Sequence, residues 1–311
     1  MSQSKYSVRR IQKIKGGSYI ISIPPDWVRK NSLDIKSEVV VIDNSEWLLI
    51  RPFRRFNDVK EILFTDLETV EYLVSVYYMQ GASTIIIKGD KIIPPEAKVK
   101  LKALQLELPG LEVEEEEFDK ISFKVNYPTN YDVSNSTISF SNKVISLFSD
   151  LRKVLISKNV SMAEDIKLRA EDLMKRYKAV IREISLSIQS GFLPVPFKDM
   201  ILYAIAMRDL GRVLHHIKVC ASLIMQCNTI SKEIIESSGL IEELLKKSFN
   251  VFETENISQV TEIRRNVKVI SQNLEKIKDD TCNTELAKEF NRILTYVIAI
   301  MDDGVHKSVR I

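Results

Sequence analysis

Val8–Phe53 reads V-R-R-I-Q-K-I-K-G-G-S-Y-I-I-S-I-P-P-D-W-V-R-K-N-S-L-D-I-K-S-E-V-V-V-I-D-N-S-E-W-L-L-I-R-P-F. Apolar and basic residues mix from Val8 to Lys15, the Gly16-Gly17 pair signals a turn, and Ser18–Ile23 is β-rich. Pro24-Pro25 stops the sheet because proline donates no ladder hydrogen bond. Asp26–Asn31 suits a short helix with Pro25 at its first turn. Val39–Ile42 and Trp47–Ile50 then form a hairpin pattern around Asp43-Asn44-Ser45. A unit of about 46 residues with few large core side chains rarely closes a core alone. It packs either on the rest of the chain or on a second copy of itself.

The 311 residues imply two or three domains. Net charge is only +3, but it is unevenly spread. Residues 1–60 hold 12 Lys/Arg against 6 Asp/Glu, and residues 61–125 hold 7 against 13. The positive excess per residue is therefore greatest at the N-terminal end. No apolar run reaches the roughly 18 residues of a spanning helix, and Met1-Ser2-Gln3-Ser4-Lys5 is too polar to open a signal peptide. Cys220, Cys227 and Cys282 make no even framework. Cys220 and Cys227 lie about 10 Å apart along one helix, too far for a bridge within it. A reducing cytoplasm is the expected location.

Residues 57–127 read β-α-β-α-β-β, a small α+β domain. Glu61–Phe64 is strand-like. Thr65-Asp66-Leu67-Glu68 opens a helix with an acidic cap, and Val70, Leu73, Val74 and Tyr77 follow at helical spacing. Gly81 ends that helix before the β-branched run Ser83–Lys88. Pro94-Pro95 opens a second helix carrying Val99, Leu101, Leu104 and Leu106. Leu111–Glu117 and Ile121–Val125 pair around Phe118-Asp119-Lys120. The acidic block Glu114–Glu117 alternates faces on its strand, which suits a solvated sheet edge better than a metal site.

Residues 128–311 show helical periodicity throughout: Thr137–Lys158, Ala163–Gln189, Asp199–Gln226, Lys232–Phe252, Ile257–Lys278 and Glu285–Met301. Ser161-Met162-Ala163-Glu164 has the form of a capping box. Short connections predict antiparallel neighbours. Two sets of three helices, about 128–229 and 230–311, suggest a duplicated three-helix bundle. In Leu202–Ala221, Arg208, Arg212 and His216 recur every four residues and are expected to share one face, as a polar seam or solvated face in the first place and as an anion-, metal- or partner-handling stripe in the second.

The string I-P-P-D-W-V-R-K-N-S-L-D-I-K-S-E-V-V-V, residues 23–41, resembles the AbrB/SpoVT swapped-hairpin family of DNA-binding dimers, although Ser37-Glu38 stands where Gly-Asp is usual. That resemblance implies an intertwined homodimer in residues 1–56. Arg29 and Lys30 sit where relatives place DNA-contacting arginines, and Arg9 and Arg10 match the basic pair of the first strand. Lys13 and Lys15 complete the expected DNA-facing set. The helix around Ala206, Arg208, Asp209, Leu210, Arg212, Val213 and His216 looks like the signature helix of the PhoU family. In order of domains the chain resembles archaeal PhoU-like phosphate uptake regulators with an N-terminal AbrB-type domain.

That second family carries multinuclear metal clusters on paired carboxylates. Here Gly211 and His215 stand where two of them belong, Met174 replaces an expected aspartate, and Thr295 stands where relatives often carry Glu. No cofactor is expected, and His216 with Cys220, an i, i+4 pair of soft ligands, is the remaining metal option. There is no P-loop, G-x-G-x-x-G, G-x-S-x-G or H-E-x-x-H, so no enzymatic role is expected. The expected function is a DNA-binding transcriptional regulator acting at promoter DNA, with a sensor or docking half tied to phosphate homeostasis. The alternatives are a PhoU-type adaptor for a phosphate transporter or sensor protein, dimerised by its N-terminal part, and an antitoxin-like protein.

Overall fold

Proline and glycine punctuate the N-terminal stretch, and the strands between them are short. The computed structural model describes residues 8–43, 47–53, 58–128, 132–278 and 280–309. It divides into two units, Met1–Arg55 and Phe56–Ile311.

In the first unit, strand pairing over Val8–Lys15 and Ser18–Ile23 shrinks to two residues each, β1 (Gln12–Lys13) and β2 (Tyr19–Ile20). The expected longer strands are corrected for a physical reason: no layer of the described unit covers either face of this hairpin, so nothing there holds the ladder beyond its turn. Helix α1 (Pro25–Lys30) starts on proline, and Asn31 closes it by donating Nδ2 to Trp27 O at 2.8 Å. Ser37 shapes the turn that follows. Its hydroxyl accepts from Asp34 N at 2.8 Å and its own N donates to Asp34 O at 2.9 Å. The turn holds Lys36 at φ 73°, a left-handed conformation that favours glycine. Then β3 (Val39–Asp43) and β4 (Leu48–Pro52) pair antiparallel from Val39↔Pro52 to Asp43↔Leu48. The expected turn residues Asn44 and Ser45 lie outside the described residues.

The second unit begins with a four-stranded sheet ordered β5-β6-β8-β7: β5 (Val59–Leu63), β6 (Thr84–Lys88), β7 (Leu111–Glu116) and β8 (Lys120–Val125). β5 and β6 are parallel, and the remaining pairs are antiparallel. Helix α2 (Leu67–Met79) supplies the β5–β6 crossover, and α3 (Pro95–Ala103) follows β6. Asp66 caps α2 by accepting from Thr69 N at 2.9 Å, and that hydrogen bond lowers its carboxyl pKa. Ile85, Ile87, Ile121 and Phe123 are fully buried with Val70, Val74 and Tyr78. The glutamates of β7 form the expected charged edge, with Glu116 3.1 Å from Lys102, Glu114 3.7 Å from Lys124, and Glu115 paired to Lys120. On α3, however, the buried residues are Ala97, Lys98 and Leu101, with Leu104 just beyond, while Val99 and Leu106 are exposed.

Six helices complete the unit: α4 (Val133–Ser157), α5 (Val160–Ser190), α6 (Phe197–Ile224), α7 (Lys232–Thr254), α8 (Val260–Leu274) and α9 (Thr281–Ser308). The sets α4–α6 and α7–α9 meet through α4 on α7 and α6 on α9, and one continuous apolar core runs through all six. The cap of α5 is Asn159, accepting from Met162 N at 3.1 Å, so the helix starts before Ser161 and the expected capping box is corrected. Cys227, just past α6, is disulfide-bonded to Cys282 in the first turn of α9, with Cα atoms 5.7 Å apart. This corrects the expectation that the odd cysteine count left no framework; only Cys220 is free, and it is buried.

The sheet and the helices are joined at α5. Arg182, buried, donates Nη1 to Tyr78 O and Ala82 O, both at 2.8 Å, and its guanidinium lies 5.1 Å from the centre of the Tyr78 ring. Gln189 donates to Gln80 O at 2.6 Å. Gly81 (φ 96°) lies against Leu186, whose side chain would be 2.8 Å from any added Cβ. The carbonyls at the C-terminal end of α2 are thus held by side chains of α5.

Candidate nucleic-acid interface

The N-terminal unit puts all six basic candidates on its surface. Arg9 and Arg10 precede β1 in extended chain, Lys13 lies on β1, and Lys15 lies at the start of the turn after it. Arg29 and Lys30 form the last turn of α1, where cations complement the helix dipole. Each of the six is exposed. Arg29 pairs with Asp26 at 2.5 Å, an exposed pair of little energetic weight that a phosphate can displace. Lys13 Nζ sits 5.7 Å from the Tyr19 ring centre.

Apolar residues are exposed beside these cations. Among the described residues 8–53 not one is buried. Val8 is 86% exposed, Ile35 88%, Tyr19 68%, and Ile11, Ile21, Val41, Leu48 and Phe53 are exposed as well. Ile21, Ile23, Pro24, Trp27 and Ile50 line an open cleft of about 300 Å³ with Arg9 at its rim. Two hairpins with apolar side chains and no second layer are half of a core.

Residues 12–57 match the MazE family, described as antidote-toxin recognition MazE, bacterial antitoxin. The match supports a swapped-hairpin domain of the AbrB/SpoVT type at the N-terminal end. It spans a small part of the chain and leaves the helical half outside it. No curated protein shows a significant match to the chain.

In the helical half, the expected stripe of Arg208, Arg212 and His216 does not form. Arg208 and Arg212 are exposed, whereas His216 is buried. Residues four apart advance 400° and so drift about 40° per step, which carries His216 into the α6/α9 seam. There His216 Nδ1 meets Glu289 Oε2 at 2.6 Å, Arg292 holds Glu289 Oε1 at 2.6 Å, and Tyr296 stacks 5.8 Å from the His216 ring. Arg208 binds its neighbour Asp209 through Nε at 3.0 Å and Nη2 at 2.9 Å.

Cys220 is buried, and desolvation, with Glu289 nearby, pushes its thiol pKa up, opposite to what a thiolate ligand needs. Among the described residues no group of three or more His, Cys, Asp or Glu is placed to hold a metal ion. A carboxylate-bridged cluster does not fit at Gly211 either, since a Cβ there would lie 2.9 Å from Tyr177 Cε2.

His215 faces the other way, into a cleft of about 690 Å³ shared with Lys175, Lys178 and Lys218. Partial desolvation and the neighbouring His216 lower its pKa. The three lysines pair with Asp172, Glu107 and Glu171, so the cleft carries balanced charge. Glu289 is not legible in the sequence as the partner of His216, because their meeting depends on α9 lying against α6. The helical spacing of Glu289 and Arg292 signalled only a surface pair.

Proposed function

We propose that the chain is a homodimeric DNA-binding regulator of transcription, with a non-enzymatic helical half that senses a signal or docks a partner. One observation carries the reading: the N-terminal unit has exposed apolar hairpins, six exposed cations and, among its described residues, none that is buried. A second copy completes the core, and the cations of two copies make one basic surface for phosphate backbones. The arginines are the better base readers, since a planar guanidinium can bind guanine bidentately. The resemblance of Ala206–His216 to the PhoU signature helix supports phosphate homeostasis as the regulated process and a phosphate transporter or signalling protein as a further partner. Action on promoter DNA would put the protein in the cytoplasm, a compartment where a bridge such as Cys227–Cys282 is rare, and no described helix is long and apolar enough to cross a membrane.

The description of the matched family favours a second reading, in which the N-terminal unit belongs to a toxin-neutralising protein. Binding to the chain's own upstream DNA and to unrelated DNA, across a salt series, tests the regulator reading. Up to six cations per copy predict a steep fall of affinity with salt, with a log–log slope of about −0.9 per phosphate neutralised. Arg29→Glu/Lys30→Glu abolishes binding while the dimer persists. Dimers that ignore DNA at low salt refute the regulator and turn the search to protein partners.

A further inference from the structure

Cys227 ties the end of α6 to the start of α9, so the two helices run antiparallel along their seam. His216 lies opposite Tyr296. One heptad back along α6 is Asp209, and one heptad forward along α9 is Asp303, so the antiparallel arrangement brings two carboxylates together. Asp209 is 1% exposed and Asp303 6%. Oδ2 of each is buried and has no hydrogen-bond partner among the described residues. Such orphan acceptors in a close-packed interior call for an explanation.

The cations around them leave both Oδ2 atoms unpartnered. Arg208 of α6 takes Oδ1 of Asp209. Arg264 of α8 takes Asp302, the neighbour of Asp303, at 2.6 Å. Lys307, one turn along α9, donates to Phe252 O at 2.9 Å and lies over the Tyr203 and Phe252 rings. From α7 the backbone of Val251 and Phe252 closes against Gly304. The charges bearing on Asp303 are therefore Asp209 and Arg208 from α6 and Asp302 from its own helix. Arg208 neutralises the Oδ1 side alone, and two facing buried carboxylates whose Oδ2 atoms meet no cation among the described residues cannot both stay ionised cheaply.

We infer that Asp209 and Asp303 share one proton, which Asp303 donates to Oδ2 of Asp209, and that this proton latches α6 to α9. Losing the proton to solvent leaves two buried anions facing each other and loosens the seam between the two three-helix sets. Desolvation first, and the charge of Asp209 second, push the Asp303 pKa up to about 7. The native state therefore holds a proton that the unfolded chain releases near pH 4, and the latch contributes stability that fades as pH rises toward 7. A divalent cation is the poorer occupant, because Arg208 already holds one of the oxygens and no third ligand joins the pair among the described residues.

The test is urea unfolding of the full chain from pH 4 to 9, for the wild type, Asp303→Asn and Asp302→Asn. The unfolding constant of the wild type relative to Asp303→Asn rises about tenfold per pH unit between roughly pH 4 and 7, then levels. Asp302→Asn keeps the wild-type slope. The infrared carboxylic-acid band at pH 6 disappears in Asp303→Asn. Should that variant not fold, Asp209→Asn leaves Asp303 in place and shifts the midpoint of the band's titration downward. A pH-independent ratio, or a band unchanged by both substitutions, overturns the shared proton. So does added magnesium that stabilises the wild type at pH 8 but not Asp303→Asn, which makes the pair a cation site.

Discussion

Replacing Arg182 with methionine tests whether the sheet and the six helices unfold together. Methionine keeps the apolar stem and deletes the guanidinium, which makes two 2.8 Å bonds to Tyr78 O and Ala82 O and sits over the Tyr78 ring. Hydrogen bonds from a charged donor contribute about 1.5 kcal/mol each at the low end, and the ring contact about 1 kcal/mol. The expected loss is about 4 kcal/mol. Tyr78 O keeps its bond from Gly81 N at 3.0 Å, so most of the penalty falls on Ala82 O. With a urea m-value of about 3 kcal/mol/M, the midpoint drops by roughly 1 M. The assay has a built-in control. Both tryptophans, Trp27 and Trp47, lie in the N-terminal unit, whereas most helix lies in the other. Far-UV circular dichroism should move while tryptophan fluorescence stays. A loss below about 0.5 kcal/mol, typical of a surface substitution, would refute the claim that Arg182 joins the two parts.

Two further substitutions test local geometry. Lys36→Gly relieves a left-handed residue in the turn before β3 and should stabilise the N-terminal unit by about 1 kcal/mol, read from the tryptophan midpoint. Gly211→Glu drives a side chain into the Tyr177 ring and should destabilise the helical half by about 2 kcal/mol or more, with no metal affinity gained in an equilibrium dialysis against Mn²⁺.

The elements that periodicity and punctuation mark most strongly appear where the sequence places them. Asp66 caps α2, Pro95 opens α3, and the long helices α4, α6 and α7 begin and end within a few residues of the expected positions. What failed depends on neighbours distant in sequence. Val99 and Leu106 look as apolar as Leu101, but α3 spans nine residues and presents only its Ala97–Leu101 side to the core. Ser161 and Asn159 compete for the same cap, and local sequence alone does not rank them. The four-residue spacing of Arg208, Arg212 and His216 ignored the drift of a real helix. Asp303, in the apolar run I-A-I-M-D-D-G, did carry a signal: one of two adjacent aspartates must turn inward there, and only the partner helix decides which. At the N-terminal end, the family match at residues 12–57 supports the swapped-hairpin reading drawn from Ile23–Val41.

An N-terminal unit with no buried residue among those described makes abundance a control variable, if the proposed dimer completes its core. Below the dissociation constant of such a dimer, halving the chain would cut the number of assembled pairs about fourfold. A truncated copy ending after the N-terminal unit would still offer its hairpins, capture a full-length chain, and remove its helical half from paired action. Expression level and fragment production would then set output as directly as any small ligand.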